Sequence, residues 1–301
     1  MLDLRSLRAL REVARCGSFS EAARALDYSQ PAISHHIRRL EAEAGTALVT
    51  RLSRGAALTE AGRLLVEHAN GVFALLSTAE EELAAIAGLS AGHVRIVAFP
   101  SASTTLVAGA LARLKARHPA IEVSVAHGMP PESLTGLHAG DCDLVLSFEY
   151  PGAVDVDDQH LLLKVPLLTG RLHAVLPLGH ELLVEDELEL AVLKDETWIV
   201  GCPRCHRGLV DACAAVGFTP QTTSGPGDLN ALQSMVAEGL GVALIPELAL
   251  STFQHADVGV LALRGAPTWE VSAIVPADGP SPAAMAMLEA LQAAAAGSGS
   301  S

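Results

Sequence analysis

GSFSEAARALDYSQPAISHHIRRLEAEAGTALVTRLSRGAALTEAG, residues 17–62, is the stretch on which the fold turns. Ser18 with Glu21 three residues on is a capping-box signature, and Ala22, Ala23 and Leu26 give the short helix that follows one apolar face. Asp27 to Ser29 break it. Ser29 caps a second helix with Pro31 in its first turn, and Ile33, Ile37, Leu40 and Ala44 recur at helical spacing as its buried stripe. The outward face is then Gln30, Pro31, Ser34, His35 and Arg38. Gln pairs bidentately with adenine and Arg with guanine, Ser and His donate or accept at base edges, and the Pro ring contacts a thymine methyl. Two short helices across a tight break suit a helix-turn-helix whose second helix enters a major groove, and equally an ordinary hairpin with a polar surface.

Charge separates the two. Residues 1–65 hold ten Arg and seven acidic residues, a net of +3, whereas the rest of the chain holds ten Lys or Arg against 27 acids, a net of −17 within the total of −14. An acidic protein meets nucleic acid only where its basic residues are concentrated. Arg38, Arg39, Arg51 and Arg54 lie together in the second helix and the loop after it, diluted by Glu41 and Glu43.

At these residues, SFSEAARALDYSQPAISHHIRRLEAEAG followed by TRLSRGAALTEAG, the chain resembles the LysR-type transcriptional regulators, and the likeness continues over nearly its whole length. The resemblance implies an N-terminal all-α winged helix-turn-helix, a long coiled-coil linker helix that dimerises it, and a C-terminal α/β two-lobed effector domain like the periplasmic solute-binding proteins. It implies DNA contacts from Ser29, Gln30, Pro31, Ser34, His35 and Arg38, with Arg51 and Arg54 in the wing. The expected partners are operator DNA, a small-molecule effector, a second copy in a homodimer and further copies in a homotetramer, and RNA polymerase. Where the family has a Leu-Phe pair before the wing Arg, this chain has Leu48, Val49, Thr50, Arg51, which alters packing under the wing.

The expected division is 1–58 for the DNA-binding domain, 59–88 for the linker helix, 92–165 with 268–296 for lobe 1, 166–267 for lobe 2, and 297–301 as a flexible tail. The 301 residues suggest roughly two domains. Half are apolar and few aromatic, so the cores are aliphatic. With no charged n-region before an apolar h-region and no apolar run approaching the roughly 18 residues of a span, a cytoplasmic protein without membrane contact is expected. Five cysteines do not make a disulfide framework.

Leu4, Leu7, Leu10 and Val13 or Ala14 mark a first helix packed beneath the other two. Thr59 caps a long helix in which Leu65, Ala69, Val72, Leu76, Ala79, Leu83 and Ile86 keep a 4-3-4-3 spacing, a coiled-coil seam ending at Gly88. From His93, short strands alternate with helices, which argues an α/β fold with parallel sheets. Val94–Phe99, Ile121–Ala126 and Leu144–Phe148 read as strands of the first lobe, and Leu161–Leu168 carries the chain onward. Leu172–Leu176, Trp198–Val200 and Val242–Ile245 read as strands of the second, before a late strand at Trp269–Val275 and a last helix at Pro282–Ala295. In the resembled family the late strand and last helix return to the first lobe, which implies that the chain crosses between lobes near 165–169 and 264–268 and makes a hinge with a cleft.

Ser101, Ser103, Thr104 and Thr105 sit at a strand-to-helix turn, where hydroxyls and free amides suit an anion or simply cap the helix. The resemblance places a carboxylate effector there and at the facing loop, Gly201 to Arg204, with Gly128 and Phe148 also lining the cleft. The effector residues expected are thus Ser101, Ser103, Thr104, Gly128, Phe148, Gly201, Cys202 and Arg204. Cys202, Pro203, Arg204, Cys205, His206 is a haem-attachment pattern without the export that haem attachment needs. Zinc fits poorly, because Cys213 lies about 12 Å along a helix from Cys205. A thiol at a helix start beside Arg204, His206 and Arg207 should have a lowered pKa, so a redox-sensing regulator using Cys202, Cys205 and Cys213 is a second possibility. A CxxC thiol-disulfide enzyme is a third, and it leaves the first ninety residues unexplained. The plainer reading, small residues in a buried loop and helix, is preferred for these cysteines. Cys16 and Cys142 read as core. No catalytic constellation, metal site or cofactor is expected.

Overall fold

The computed structural model describes residues 2–52, 55–86, 92–150, 162–264, 268–277 and 279–298. They form two units, Met1–Ile86 with Thr135–Asp141, and Ala87–Leu134 with Cys142–Ser301.

In the first unit α1 (Leu4–Cys16), α2 (Phe19–Ala25) and α3 (Gln30–Ala44) precede a two-stranded antiparallel wing, β1 (Val49–Arg51) and β2 (Ala56–Leu58), and the long α4 (Glu60–Ile86). The caps fall where the sequence places them: Ser18 accepts from the Glu21 amide and Ser29 from the Ala32 amide. Leu7, Leu10 and Val13 of α1 pack with Ala22, Ile33, Ile37, Leu40 and Leu48 in one core. Leu4 and Ala44 are exposed, so the apolar stripes are a turn shorter at each end than their spacing suggests. Glu41 does not dilute the basic face: its carboxylate accepts from the Leu48 and Val49 amides (2.9 and 3.2 Å) and anchors the wing. Glu43 pairs with Arg39 at 3.2 Å.

The α4 seam divides. Leu65 and Ala69 pack into the core of their own unit, whereas Val72 and Leu76 are each 41% exposed and Leu83 65%. The expected helix end at Gly88 lies outside the described residues, as does the expected linker at 88–92 except for Gly92.

The second unit opens with β3 (His93–Ala98), then a helix that runs from α5 (Pro100–Ala102) through a π turn (Ser103–Val107) into α6 (Ala108–Arg117). There follow β4 (Glu122–His127), α7 (Glu132–His138) and β5 (Leu144–Glu149). β6 (Leu162–Pro177) leads through two 3₁₀ turns and β7 (Glu187–Glu189) to β8 (Thr197–Val200), α8 (Pro203–Ala215), β9 (Gln221–Ser224) and α9 (Leu229–Ala237). β10 (Ala243–Pro246), α10 (Glu247–Leu250), β11 (Val258–Arg264), β12 (Thr268–Pro276) and α11 (Pro282–Ser298) complete it.

The sheets are mixed rather than parallel. β3, β4 and β5 are parallel, β12 runs antiparallel to β5 and β6, and β10 and β11 antiparallel to β6. The two stretches read as separate strands, Leu161–Leu168 and Leu172–Leu176, are one strand of 16 residues. It stays continuous because the register against β12 shifts between Val271 and Ser272, opposite Leu168 and Pro166, with Leu167 the extra residue of a bulge beside the proline. Leu172 joins the core of one lobe, while Ala174, Val175 and Leu176 enter the two cores of the other. Gly297 and Ser298 continue α11, so the expected tail begins later; 299–301 and the second crossing at 265–267 lie outside the described residues. No described helix is long and apolar enough to cross a membrane.

Leu10 is fully buried and Leu4 is 42% exposed. We expect Leu10→Ala to cost about 2–5 kcal/mol and Leu4→Ala within about 0.5 kcal/mol, read from urea unfolding. Equal losses would mean the stripe reaches Leu4 after all.

Candidate functional site: the helix face and the inter-lobe cleft

On α3, Gln30, Pro31, His35 and Arg38 are exposed along one face, with Ser29 at its start. Ser34 is not part of that face. It is 7% exposed and its hydroxyl accepts from the Gln30 side-chain amide at 3.0 Å, so it orients Gln30 instead of meeting a base edge. The Arg38 Nε donates to the Ser34 carbonyl at 3.2 Å, which lays the guanidinium along the helix. His36 turns inward, its Nδ1 3.2 Å from the Ser6 hydroxyl and its ring stacked on Tyr28. Arg51 stands in β1 of the wing, and Arg54 lies outside the described residues.

In the second unit a cavity of about 60 Å³ lies between the lobes. Its walls come from residues just past the carboxyl ends of parallel strands: Phe99 after β3, Met129 after β4, Tyr150 after β5, Gly201 after β8. That is where open α/β sheets bind ligands. Ser101, Phe148, Gly201 and Cys202 line it as expected. Ser103, Thr104, Gly128 and Arg204 are not among the lining residues. Ser103 Oγ donates to the Phe99 carbonyl (3.3 Å), and Thr104 and Thr105 donate to the Ser101 carbonyl (3.1 and 2.6 Å), so these hydroxyls bend back onto their own helix. A Cβ at 128 would meet the Val97 and Ser133 side chains, which places Gly128 against the sheet.

Arg204 has a different task. It is 6% exposed, its NH1 donates to the Phe148 carbonyl at 2.5 Å and reaches the Ser147 hydroxyl at 3.4 Å, and its guanidinium lies 5.8 Å from the Phe148 ring. It ties the start of α8 to the end of β5 across the cleft.

Phe99, Tyr150 and Trp269, which sequence reasoning missed, form an aromatic wall with the expected Phe148. The four pack edge to face, with aliphatic residues such as Leu209, Leu232 and Leu244 opposite. Tyr150 lies against Gly208 of α8, where any side chain would collide with its ring. Burial pushes its phenol up to about 12, and Arg204 opposes that only in part. Among the described lining residues no side chain is charged. A buried carboxylate without a counter-charge costs several kcal/mol, and a helix start offsets at most about 2 kcal/mol of it.

Cys202 and Cys205 are joined in a disulfide, with the Cys205 amide donating to Cys202 Sγ at 2.9 Å, so Cys205 is not the free thiol of lowered pKa that its position suggests. Cys213 is buried and its thiol is pushed up to about 11. Cys142 is buried, while Cys16 sits half-buried with its thiol near Glu12 Oε1 (3.3 Å). No cluster of three or more metal-binding side chains occurs among the described residues.

A winged helix-turn-helix joined by a long helix to a two-lobed α/β domain with a cavity at its strand ends defines a ligand-responsive DNA-binding protein. Residues 4–63 match the profile of the "Bacterial regulatory helix-turn-helix protein, lysR family", and residues 87–296 that of the "LysR substrate binding domain". The regulator BudR of Raoultella terrigena is 31% identical over 257 residues, 82% of this chain and 85% of that protein. A probable hydrogen peroxide-inducible genes activator of Streptomyces viridosporus is 30% identical, covering 82% and 78%. Among solved structures, a point variant of full-length OxyR from Pseudomonas aeruginosa superposes with a TM-score of 0.74 at 21% identity, covering 98% of this chain and 95% of that one. CbnR in complex with its target DNA gives 0.63 at 20%, covering 97% and 99%. The chain belongs to the LysR family of transcriptional regulators: it is a DNA-binding regulator with an effector-binding domain.

With its pKa near 11, Cys213 carries roughly a thousandth of its thiol as thiolate at pH 8. We expect iodoacetamide at pH 8 to leave Cys213 unmodified in the native protein and to label it in urea, as read by peptide mass. Labelling at the rate of a small free thiol would contradict its burial.

Proposed function

We propose that the α3 face carrying Gln30, Pro31, His35 and Arg38 reads operator bases, that Arg51 and Arg54 hold phosphates from the wing, and that a small molecule in the inter-lobe cavity sets operator affinity. The observation that carries this is the pairing, in one chain, of an exposed base-reading face with a cavity at converging strand ends. The exposed stripe of α4, from Val72 to Leu83, supports dimerisation through that helix. Tetramer formation and contact with RNA polymerase belong to the same proposal, and membership of the LysR family is what suggests them.

Two sets of variants test this reading. Arg38→Ala should relax preference at one base position by about 1–3 kcal/mol, whereas Arg51→Ala should weaken binding on all sequences alike. Val72→Asp with Leu76→Asp should separate the subunits and remove tight operator binding. Parent-like discrimination in Arg38→Ala, or an unchanged sedimentation mass in the double variant, would count against the corresponding assignment.

A second reading, regulation by thiol oxidation, is supported by the Cys202–Cys205 disulfide. The pair flanks Arg204 and lines the cavity, and Cys202 also borders an outward groove of about 300 Å³ with His206 and Thr222. The Streptomyces relative, named a probable peroxide-inducible activator, makes the same suggestion. Hydrogen peroxide would take two electrons and two protons from the dithiol, leaving the disulfide and two waters. Under this reading peroxide and dithiothreitol shift operator binding of the parent in opposite directions, and Cys202→Ser with Cys205→Ser removes both shifts. Parent protein that binds operator equally under both reagents rules out the thiol switch.

A further inference from the structure

We propose that the effector is an uncharged, ring-bearing small molecule held by the aromatic wall of the cleft, an inference that rests on the reading of that cleft as the effector site. The chain has ten Phe, Tyr and Trp residues in 301. Four of the ten meet at this one cavity: Phe148 lies edge-on to Phe99, Trp269 and Tyr150 at centroid distances of 5.0, 5.7 and 6.0 Å. Of the other six, Trp198 lies in the core of the second lobe and Phe19, Phe73 and Phe218 pack against cores elsewhere. Four of so few aromatics around one void mark that void as made for a ring, which gains from edge and face contacts as well as from burial.

Charge decides the rest. Among the described residues of the wall none is ionised, since the phenol of Tyr150 is held neutral by burial and the two cysteines are bonded to each other. Arg204, beside the wall, spends its guanidinium on the Phe148 carbonyl and the Ser147 hydroxyl. The hydroxyls of Ser103, Thr104 and Thr105 donate to helix carbonyls. Ser101 and Tyr150 remain as hydroxyls on the wall, enough for one alcohol, phenol or amide on the ligand and too little for a carboxylate.

Size adds a consequence. At about 60 Å³ the void is smaller than the roughly 150 Å³ apolar cavity that takes up benzene, so a ring enters only as the lobes part. The ligand then prefers the wider arrangement, and that preference is the differential affinity a regulator needs.

Benzyl alcohol and benzoate compare one ring with and without charge. We expect calorimetry on the full-length protein at pH 7.5 to give benzyl alcohol a Kd at least tenfold lower than that of benzoate, and Met129→Phe, which narrows the cavity, to abolish the binding. Leu232→Trp fills the cavity from the other lobe and serves if the first variant loses operator binding. Benzoate binding as tightly as benzyl alcohol, or neither ring binding, overturns the uncharged-ring assignment and leaves the cleft reading in place. A probe that changes the operator footprint equally in the parent and in both filled variants acts elsewhere, and that result overturns the cleft reading itself.

Discussion

A single buried cation keeps the cleft in shape. Arg204 leaves the first turn of α8, crosses to the other lobe and donates to the Phe148 carbonyl, with its guanidinium beside the Phe148 ring. A buried guanidinium deprived of its acceptors would cost about 3–5 kcal/mol, so neither lobe can drift without losing that much. Because the acceptor is main chain, the bond fixes β5 itself and, through β5, the position of Phe148 and Tyr150. The aromatic wall is thus positioned from the opposite lobe. Tyr150 completes the arrangement by resting on Gly208, one turn further along the same helix.

The cleft lies there because of sheet geometry. β3, β4 and β5 run parallel in one lobe and β8 and β9 in the other, so the chain turns out of every one of these strands at its carboxyl end. Side chains just past those ends project together, and helices follow four of the five strands, most closely at Pro100 and Pro203. Asp143 fixes the register of the first set: its carboxylate takes the Arg95 amide at 2.7 Å and the Arg95 guanidinium at 2.6 and 3.1 Å, joining β5 to β3. An acidic residue before a strand reads in sequence only as a boundary, and here it also pairs that strand with its neighbour.

What was legible in the sequence was local. Ser18, Ser29 and Thr59 cap the helices they precede because a cap is set by residues three apart. Helix phase was less secure: at Ser34 the stripe and the face meet, and an error of a fraction of a turn moves a buried hydroxyl onto the reading surface. β6 reads in sequence as two stretches, Leu161–Leu168 and Leu172–Leu176, and the structure joins them. Pro166 is accommodated at a bulge, and Gly170 is needed because the Trp269 indole occupies the space of its missing side chain. The aromatic wall as a group was hidden for another reason. Only Phe148 was expected at the cleft; its partners stand at 99, 150 and 269, and no periodicity links positions that only the sheet brings together. The hydroxyl cluster at 101–105 was conspicuous because it is contiguous, yet three of its hydroxyls serve the helix they begin.

The continuity of β6 also bears on how a ligand could be sensed. A regulator needs two arrangements of comparable free energy and a ligand that prefers one, and tight binding alone shifts nothing. Here each lobe has its own core, and β6 belongs to both, passing from one core to the other between Leu172 and Ala174. Among the described residues the lobes are thus joined at a few residues of one strand. Across that joint the Arg204 hydrogen bonds favour the closed form, while an aromatic wall around too small a void leaves dispersion contacts unmade and favours any molecule able to supply them. The two effects act on the same coordinate with opposite sign, so under the proposed reading occupancy of the cavity would be converted into lobe separation without a long chain of intermediate contacts.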